Sequence, residues 1–449
     1  IMGSDKGKSY LISHLADGTY AKDVIWWEIA SHYEKKTPGI LKDLLRIREK
    51  RAGNNSLKKE AAKRLFGDVL YGSVTRFEQY VQCPFAFFSH YGLLLNERQQ
   101  YEISSLDHGN LFHQAMEHLS HELEQRNKNW QDLSEEEAVL LAAECVDAVA
   151  ERYQGRKYFQ SNRVSFMLKR LKNEVVHSVW AMWHQMQEGD FVQTYTEKGF
   201  RGNDKEWESM CIPFGEDAKI CLNGVIDRVD LCSLPGEELI KVIDYKSSDS
   251  QDLSLAKVYY GLQMQLLTYL EAAKEMVEKE HKGKEAVPAA MLYYAIKEKN
   301  LDWKPESEEE YEKRVLDSMK CKGYVNEEPE IIGHLDKSVV NGGELIPGQK
   351  SGVVPVAVDK KGLLKKNSGT LSAKDFETLI AHTKEKMKEC GKGILDGKIE
   401  AIPYVYEDNE GCTYCPYGSV CGHESKKDGV REMKKMSDDE VWEALYGDD

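Results

Sequence analysis

Three nearby stretches carry side chains that could act together on a phosphate: Gly224-Val225-Ile226-Asp227-Arg228-Val229-Asp230, Val242-Ile243-Asp244-Tyr245-Lys246 and Gln265-Leu266-Leu267-Thr268-Tyr269. Asp227 and Asp244 each close a β-branched apolar run. The link between the runs, Ser233-Leu234-Pro235-Gly236-Glu237-Glu238, holds a Pro-Gly turn signal. This pattern predicts a hairpin with one carboxylate per strand near a shared edge. Two carboxylates brought close repel, and a divalent cation lets both stay ionised. Oxygen donors favour Mg²⁺ or Mn²⁺ over zinc. Lys246 lies two residues past Asp244, so on a strand the two side chains share a face. Carboxylate, cation and ammonium on one spot suit a phosphate whose phosphorus gains negative charge under attack. Spacing alone leaves a plainer reading open, two hairpin-end aspartates beside a solvated lysine.

The elements that must hold these groups can be read around them. Strands are expected at Glu208–Phe214, Ala218–Leu231 and Leu239–Lys246. A helix over Asp252–Ala273 would carry Gln265 and Tyr269 on one face, and a buried strand at Val287–Ile296 would have Pro288 at its start. Strands and helices in this order predict an α/β layer arrangement. Upstream, residues 22 to 66 and 135 to 190 read as helical, with Trp180, Met182, Trp183 and Met186 as core. A helix near Ser73 opens with a capping box from Thr75 to Glu78. In Gly109-Asn110-Leu111-Phe112-His113, the histidine shares a helix face with Glu117, and Glu117 with His121. These lack the H-E-x-x-H order of helical zinc sites. Residues 301 to 370, rich in charge and glycine, read as irregular with a short strand at Val353–Val358. Phe376–Cys390 reads as a helix stopped by Gly391.

At 449 residues, 41% hydrophobic and 31% charged, the chain has material for two or three cores. No apolar run reaches the roughly 18 residues of a membrane span, and the N-terminus has no secretory apolar core. Its start on Ile1 suggests an excised fragment. The net charge of −15 argues against coating nucleic acid by charge alone. Local basic groups, Lys360, Lys361, Lys365 and Lys366, and Lys384, Lys386, Lys388 and Lys392, are the candidates for phosphates. Gly3-Ser4-Asp5-Lys6-Gly7-Lys8-Ser9 falls one residue short of a P-loop and follows no strand, so no ATP site is expected.

Ten cysteines are too sparse for a disulfide scaffold. Cys145, Cys211, Cys221, Cys232, Cys321 and Cys390 read as buried or idle thiols. Cys412, Cys415 and Cys421 form C-x₂-C-x₅-C in a turn-rich segment, a strong metal signal that needs a fourth ligand. His423 would complete a zinc knuckle, and Cys83 would complete a four-cysteine site joining both ends of the chain. Spacing does not choose between them.

Taken together, Gly109-x-x-x-His113, Asp227 in G-x-x-D-R-x-D, Asp244-Tyr245-Lys246 and Gln265-x-x-x-Tyr269 resemble, in order, the motifs of the RecB-type branch of the PD-(D/E)xK nucleases. The resemblance covers about residues 71 to 425. It implies a restriction-endonuclease-like α/β core, a mixed central sheet flanked by helices, with helical insertions and a C-terminal cysteine-rich iron–sulfur staple. Arg76-Phe77-Glu78 ahead of Cys83-Pro84-Phe85, with Cys412-x-x-Cys415-Pro416-Tyr417, resembles the iron–sulfur members found in AddAB-type helicase–nucleases. This implies a [4Fe–4S] cluster on Cys83, Cys412, Cys415 and Cys421.

The implied activity is Mg²⁺-dependent (or Mn²⁺-dependent) hydrolysis of one DNA strand during double-strand break processing, in the bacterial cytoplasm. Asp227 and Asp244 would bind the metal, with the carbonyl of Tyr245 as a further ligand and His113 assisting. Lys246 would orient water and offset charge, and Gln265 and Tyr269 would grip the substrate. Partners implied are DNA, as a single strand or unwound end, and an AddA-type helicase–nuclease subunit. Residues 1 to 70 would end a preceding helicase-like region, and 426 to 449 would form a tail. The rival readings are a free-standing CRISPR-associated iron–sulfur exonuclease and an inactive DNA-end-binding scaffold.

Overall fold

The computed structural model describes residues 56–96, 105–154, 162–201, 207–215, 217–246, 252–296, 307–423, 425 and 429–447. The helical stretch expected from 22 to 55 and the Gly3-to-Ser9 segment lie outside the described residues.

Helix α1 (Lys59–Phe66) leads to strand β1 (Val69–Gly72), helix α2 (Val74–Gln82) and the turn-long α3 (Pro84–Phe87). Three long helices follow, α4 (Ser105–Gln125), α5 (Glu135–Gln154) and α6 (Asn162–Gln187). Next come β2 (Val192–Phe200), β3 (Met210–Phe214), β4 (Ala218–Leu222), β5 (Gly224–Leu234) and β6 (Glu237–Lys246). Helices α7 (Leu255–Tyr259) and α8 (Gln265–Glu280) then lead to β7 (Glu285–Ala295). The remainder runs α9 (Glu308–Ser318), β8 (Lys322–Asn326), α10 (Pro329–Leu335), a small hairpin of β9 (Val340–Asn341) and β10 (Glu344–Leu345), and β11 (Thr370–Leu371). It ends with α11 (Ala373–Leu395), β12 (Tyr404–Tyr406), β13 (Asn409–Glu410), α12 (Gly418–Cys421), β14 (Arg431–Glu432) and α13 (Asp438–Tyr446).

The central sheet is mixed, in the order β11-β8-β7-β6-β5-β2. Strands β5 and β6 form the expected hairpin. Leu234 pairs with Glu237, which leaves Pro235-Gly236 as the turn, and Gly236 at φ +86 takes the position a side chain would strain. Strand β6 runs parallel to β7, so the chain must cross over between them, and α7 and α8 make that crossover. Both faces of β6 are covered. Ile240 and Val242 join one core with Leu266, Leu270 and Val277 of α8 and with Leu379 and Met387 of α11. Leu239, Ile243 and Tyr245 join the other, with Leu111, Leu141 and Val175 of the three long helices. Each such side chain contributes about 1.5–3 kcal/mol on burial. Burial on both faces accounts for an apolar run that does not alternate. Asp244 and Lys246 extend the Ile240–Val242 alternation, on the face that meets α8.

The structure revises several expected elements. The strand expected over Ala218–Leu231 breaks at Asn223: β4 joins a small sheet in the order β1-β4-β3, and β5 joins the central one. The helix expected over Asp252–Ala273 is two, and Gln265 is the first residue of the second. Pro288 lies inside β7, at a bulge where Ile240 pairs with Pro288 and Lys241 with Ala290, so its missing N–H breaks no regular ladder. No capping box forms at Thr75. Ser73 is the N-cap of α2, and Glu78 instead accepts the Met264 N–H at 2.6 Å. Residues 307–371 are not irregular, because they supply α9, α10 and two strands of the central sheet, while Val353–Val358 is not a strand. Gly391 does not stop α11; a Cβ there would stand 2.8 Å from Phe214 Cζ, so the glycine permits close packing inside the helix. Cys211 and Cys221 are not idle thiols. They sit opposite each other on β3 and β4, with Cα atoms 4.1 Å apart, and form a disulfide.

Candidate active site

The six side chains singled out in the sequence meet where β5, β6, α4 and α8 come together. Lys246 Nζ lies 2.5 Å from Asp244 Oδ2 and donates to Gln265 Oε1 at 2.9 Å. Gln265 Nε2 in turn donates to the Tyr269 hydroxyl at 2.9 Å. On the other side, His113 Nδ1 is 2.8 Å from Glu197 Oε1 and 3.5 Å from Asp227 Oδ1. The Tyr245 amide donates to Asp227 Oδ2 at 2.7 Å, which ties the two strands at the site. Its ring packs edge-on to His113, with centroids 5.6 Å apart.

Sequence reasoning missed Glu197. Thr196 pairs with Arg228 and Lys198 with Ile226, which sets Glu197 across from Asp227. It takes a φ of +46, uncommon for a residue with a side chain. His113, Glu197 and Asp227 offer ligand atoms within 4.8 Å of one another, the spacing a single cation needs. Asp244 stands outside that trio but couples to it through charge. The one signal in the sequence was a lone glutamate in a strand, and only the pairing of β2 with β5 gives it meaning.

The electrostatics fit a cation. Burial pushes the Asp227 carboxyl well above its ordinary range, and the Asp244 charge pushes it further, against His113 and the Tyr245 N–H. Asp244 is raised by burial, against the charge and hydrogen bonding of Lys246. Burial lowers His113, but the Glu197 hydrogen bond and the charges of Asp227, Glu197 and Asp244 outweigh it, and the net shift is upward. Asp244 Oδ2 is buried against the Lys246 ammonium, so that oxygen already faces a cation, whereas the buried Asp227 carboxyl beside Glu197 and His113 is the group a metal would relieve.

Glu78 of α2 is a second residue the motif reading did not place. Beside Met264, it lies near Lys246 and Asp244, and burial pushes its carboxyl up to about 7 against the Met264 and Gln265 N–H groups. It thereby meets the otherwise unpaired donors at the start of α8.

Cys83, at the junction of α2 and α3, packs with Ala86, Phe85, Tyr417 and Cys415. Burial pushes the Cys412 thiol up to about 12, and the Glu410, Cys83, Cys415 and Cys421 groups add to the shift. The structure thus packs Cys83 against Cys415, but among the described residues the four cysteines do not form a group with ligand atoms within 4.8 Å of one another, as His113, Glu197 and Asp227 do. Arg431 reinforces the closure, donating to Ile402 O at 3.0 Å and to the carbonyls of Val81 and Gln82 at the end of α2. The candidate DNA lysines fare differently. Lys384 pairs with Glu271, Lys386 with Glu389, Lys388 with Glu385 and Lys366 with Asp439, so carboxylates already offset four of those eight charges.

The family profile of the PD-(D/E)XK nuclease superfamily matches residues 72–422. The chain is 34% identical to the B subunit of the ATP-dependent helicase/deoxyribonuclease of Lachnoclostridium phytofermentans, over 100% of this chain and 38% of that protein. Against the proteins of the same name from Clostridium perfringens and Alkaliphilus metalliredigens, identity is 32% and 30%, over 87% and 94% of this chain. It covers 34% and 36% of those two. The chain thus spans less than two fifths of the length of these relatives. With a profile match that runs from β1 to the last of the clustered cysteines, the chain belongs to the PD-(D/E)XK nuclease superfamily.

Proposed function

We propose that this chain is the nuclease part of an AddB-type subunit, which hydrolyses phosphodiester bonds of one DNA strand alongside an AddA-type helicase–nuclease partner. The observation that carries the reading is the chain of contacts from Asp244 through Lys246 to Gln265, set beside His113, Glu197 and Asp227. His113, Glu197, Asp227 and Asp244 would hold Mg²⁺ or Mn²⁺, with the Tyr245 carbonyl as a further donor. When bound there, the ion supplies Lewis acidity and lowers the pKa of water.

The chain's own groups do the rest. The Lys246 ammonium, fixed between Asp244 and Gln265, offsets charge that grows on the phosphate oxygens. Gln265 orients that ammonium, and the Tyr269 hydroxyl orients Gln265. The four cysteines would hold a [4Fe–4S] cluster with a structural role, which would join α2 to the C-terminal segment. Mg²⁺-dependent cleavage of single-stranded DNA should vanish in Asp244→Ala, and undiminished cleavage by that variant would sink the reading. Iron and sulfide analysis, with broad absorbance near ~400 nm, distinguishes the cluster from zinc.

A further inference from the structure

Beside the proposed site, on the side of Lys246 and Gln265, a cavity of about 270 Å³ is open to solvent. It is below the roughly 300–1,000 Å³ of pockets for drug-sized ligands. Its walls come from four parts of the fold: Glu78 of α2, Lys246 of β6, Lys257 and Gln265 of the crossover helices, and Tyr404 and Tyr406 of β12. Tyr406 is buried against Tyr260, with ring centroids 6.1 Å apart, whereas Tyr404 is half-buried. Strand β12 is held in a small sheet between β13 and β14.

The charge of the cavity decides what fits. Lys246 is committed to Asp244, and Glu78 presents a carboxyl, so the inner wall does not favour a second phosphate. Aromatic and polar side chains lining a cavity next to Lys246 suit a nucleobase. Stacking on an aromatic ring is tolerant of sequence, because every base has a π-face. We propose that this cavity is a nucleotide subsite, in which the base adjoining the cleaved bond stacks on Tyr404 and Lys257 meets the following phosphate. The proposal rests on the nuclease reading above and deepens it.

The test uses oligothymidylates with one cleavable phosphodiester, all other linkages being methylphosphonates. A tetrahydrofuran abasic residue replaces the thymidine on one side of that bond or on the other. Tyr404→Ala should lower kcat/KM on the all-thymine substrate roughly tenfold, and Tyr404→Phe should leave it within twofold. On one of the two abasic substrates, wild type and Tyr404→Ala should be equal. A Tyr404→Ala defect that persists undiminished on both abasic substrates would overturn the proposal, because the tyrosine would then be supporting the fold. No defect at all would overturn it too. If the wild-type chain cuts none of these substrates, the nuclease reading fails by itself. The subsite is then judged by fluorescence anisotropy of the same oligonucleotides in EDTA. There Tyr404→Ala must weaken binding of the all-thymine oligonucleotide and leave one abasic oligonucleotide unaffected, or the subsite falls as well.

Discussion

Lys246 is held by two contacts of different kind, an ion pair with Asp244 and a hydrogen bond to Gln265. Removing its charge should cost transition-state stabilisation and little metal affinity. Lys246→Met is therefore expected to lower kcat about 10²–10³-fold, with Mn²⁺ affinity by calorimetry changed only a few-fold. Parallel loss of metal binding would mean that the ammonium organises the carboxylates instead. Glu78 yields a prediction about stability. Its carboxyl is raised from the ordinary value of 4.5 to about 7. Between those pH values the folded chain keeps a proton that the unfolded chain has released, so stability falls as pH rises through the window. Glu78→Gln keeps an acceptor for the Met264 N–H without the charge. In EDTA it should match wild type near pH 4 and exceed it at pH 8 by on the order of 2–3 kcal/mol. Urea melts at the two pH values decide this, and a constant difference would remove the titration from the account. The residue scale is also where the sequence was most legible. Asp244 and Lys246 could be read because two residues on a strand share a face. Glu197 could not, because its meaning comes from a partner strand more than two dozen residues away and from a left-handed backbone.

Elements were legible where local chemistry and tertiary demand agree. The β5–β6 hairpin was readable from Pro235-Gly236, since that turn needs a residue free of a Cβ. Helix α11 was not, because Gly391 looks like a stop by propensity but serves packing against Phe214 and Ile220. Alanine at position 391 would gain up to about 1 kcal/mol of helix propensity. Overpacking at a buried contact costs typically 1–3 kcal/mol. The second effect should win, so Gly391→Ala is expected to lower the melting temperature, and a rise would show that the core yields. The proposed cysteine staple would act between elements, tying the end of α2 to the segment after β13. A crosslink over so long a loop contributes roughly 5 kcal/mol in the chain-entropy picture. Cys83→Ala should lose the absorbance near ~400 nm and much of the thermal stability together, because site assembly and folding are linked. Full stability in that variant would leave the staple without a structural role.

For the whole molecule, the question is how a chain of net charge −15 engages a polyanion. General attraction does not supply the affinity, and carboxylates offset four of the eight clustered lysines. The proposed site adds local charge: Lys246, Lys257 and, when bound, a divalent ion on His113, Glu197, Asp227 and Asp244, where β5, β6, α4 and α8 meet. Such a site contacts few phosphates. Single-strand binding loses affinity with salt at a log–log slope of about −0.7 per phosphate neutralised. Two or three contacts predict a slope of only about −1.5 to −2. Ca²⁺, which binds oxygen donors but supports such chemistry poorly, should raise affinity for single-stranded DNA over that in EDTA. Anisotropy titrations from about 50 to 200 mM salt, with Ca²⁺ or EDTA, measure both quantities. A slope steeper than about −4, or affinity indifferent to the ion, would place DNA on an extended basic track rather than at the carboxylates. In that case the catalytic edge of β6 would only cut what another surface holds. The predicted pairing of shallow salt dependence with strong ion dependence is therefore specific to a chain that grips its substrate at the point of cleavage.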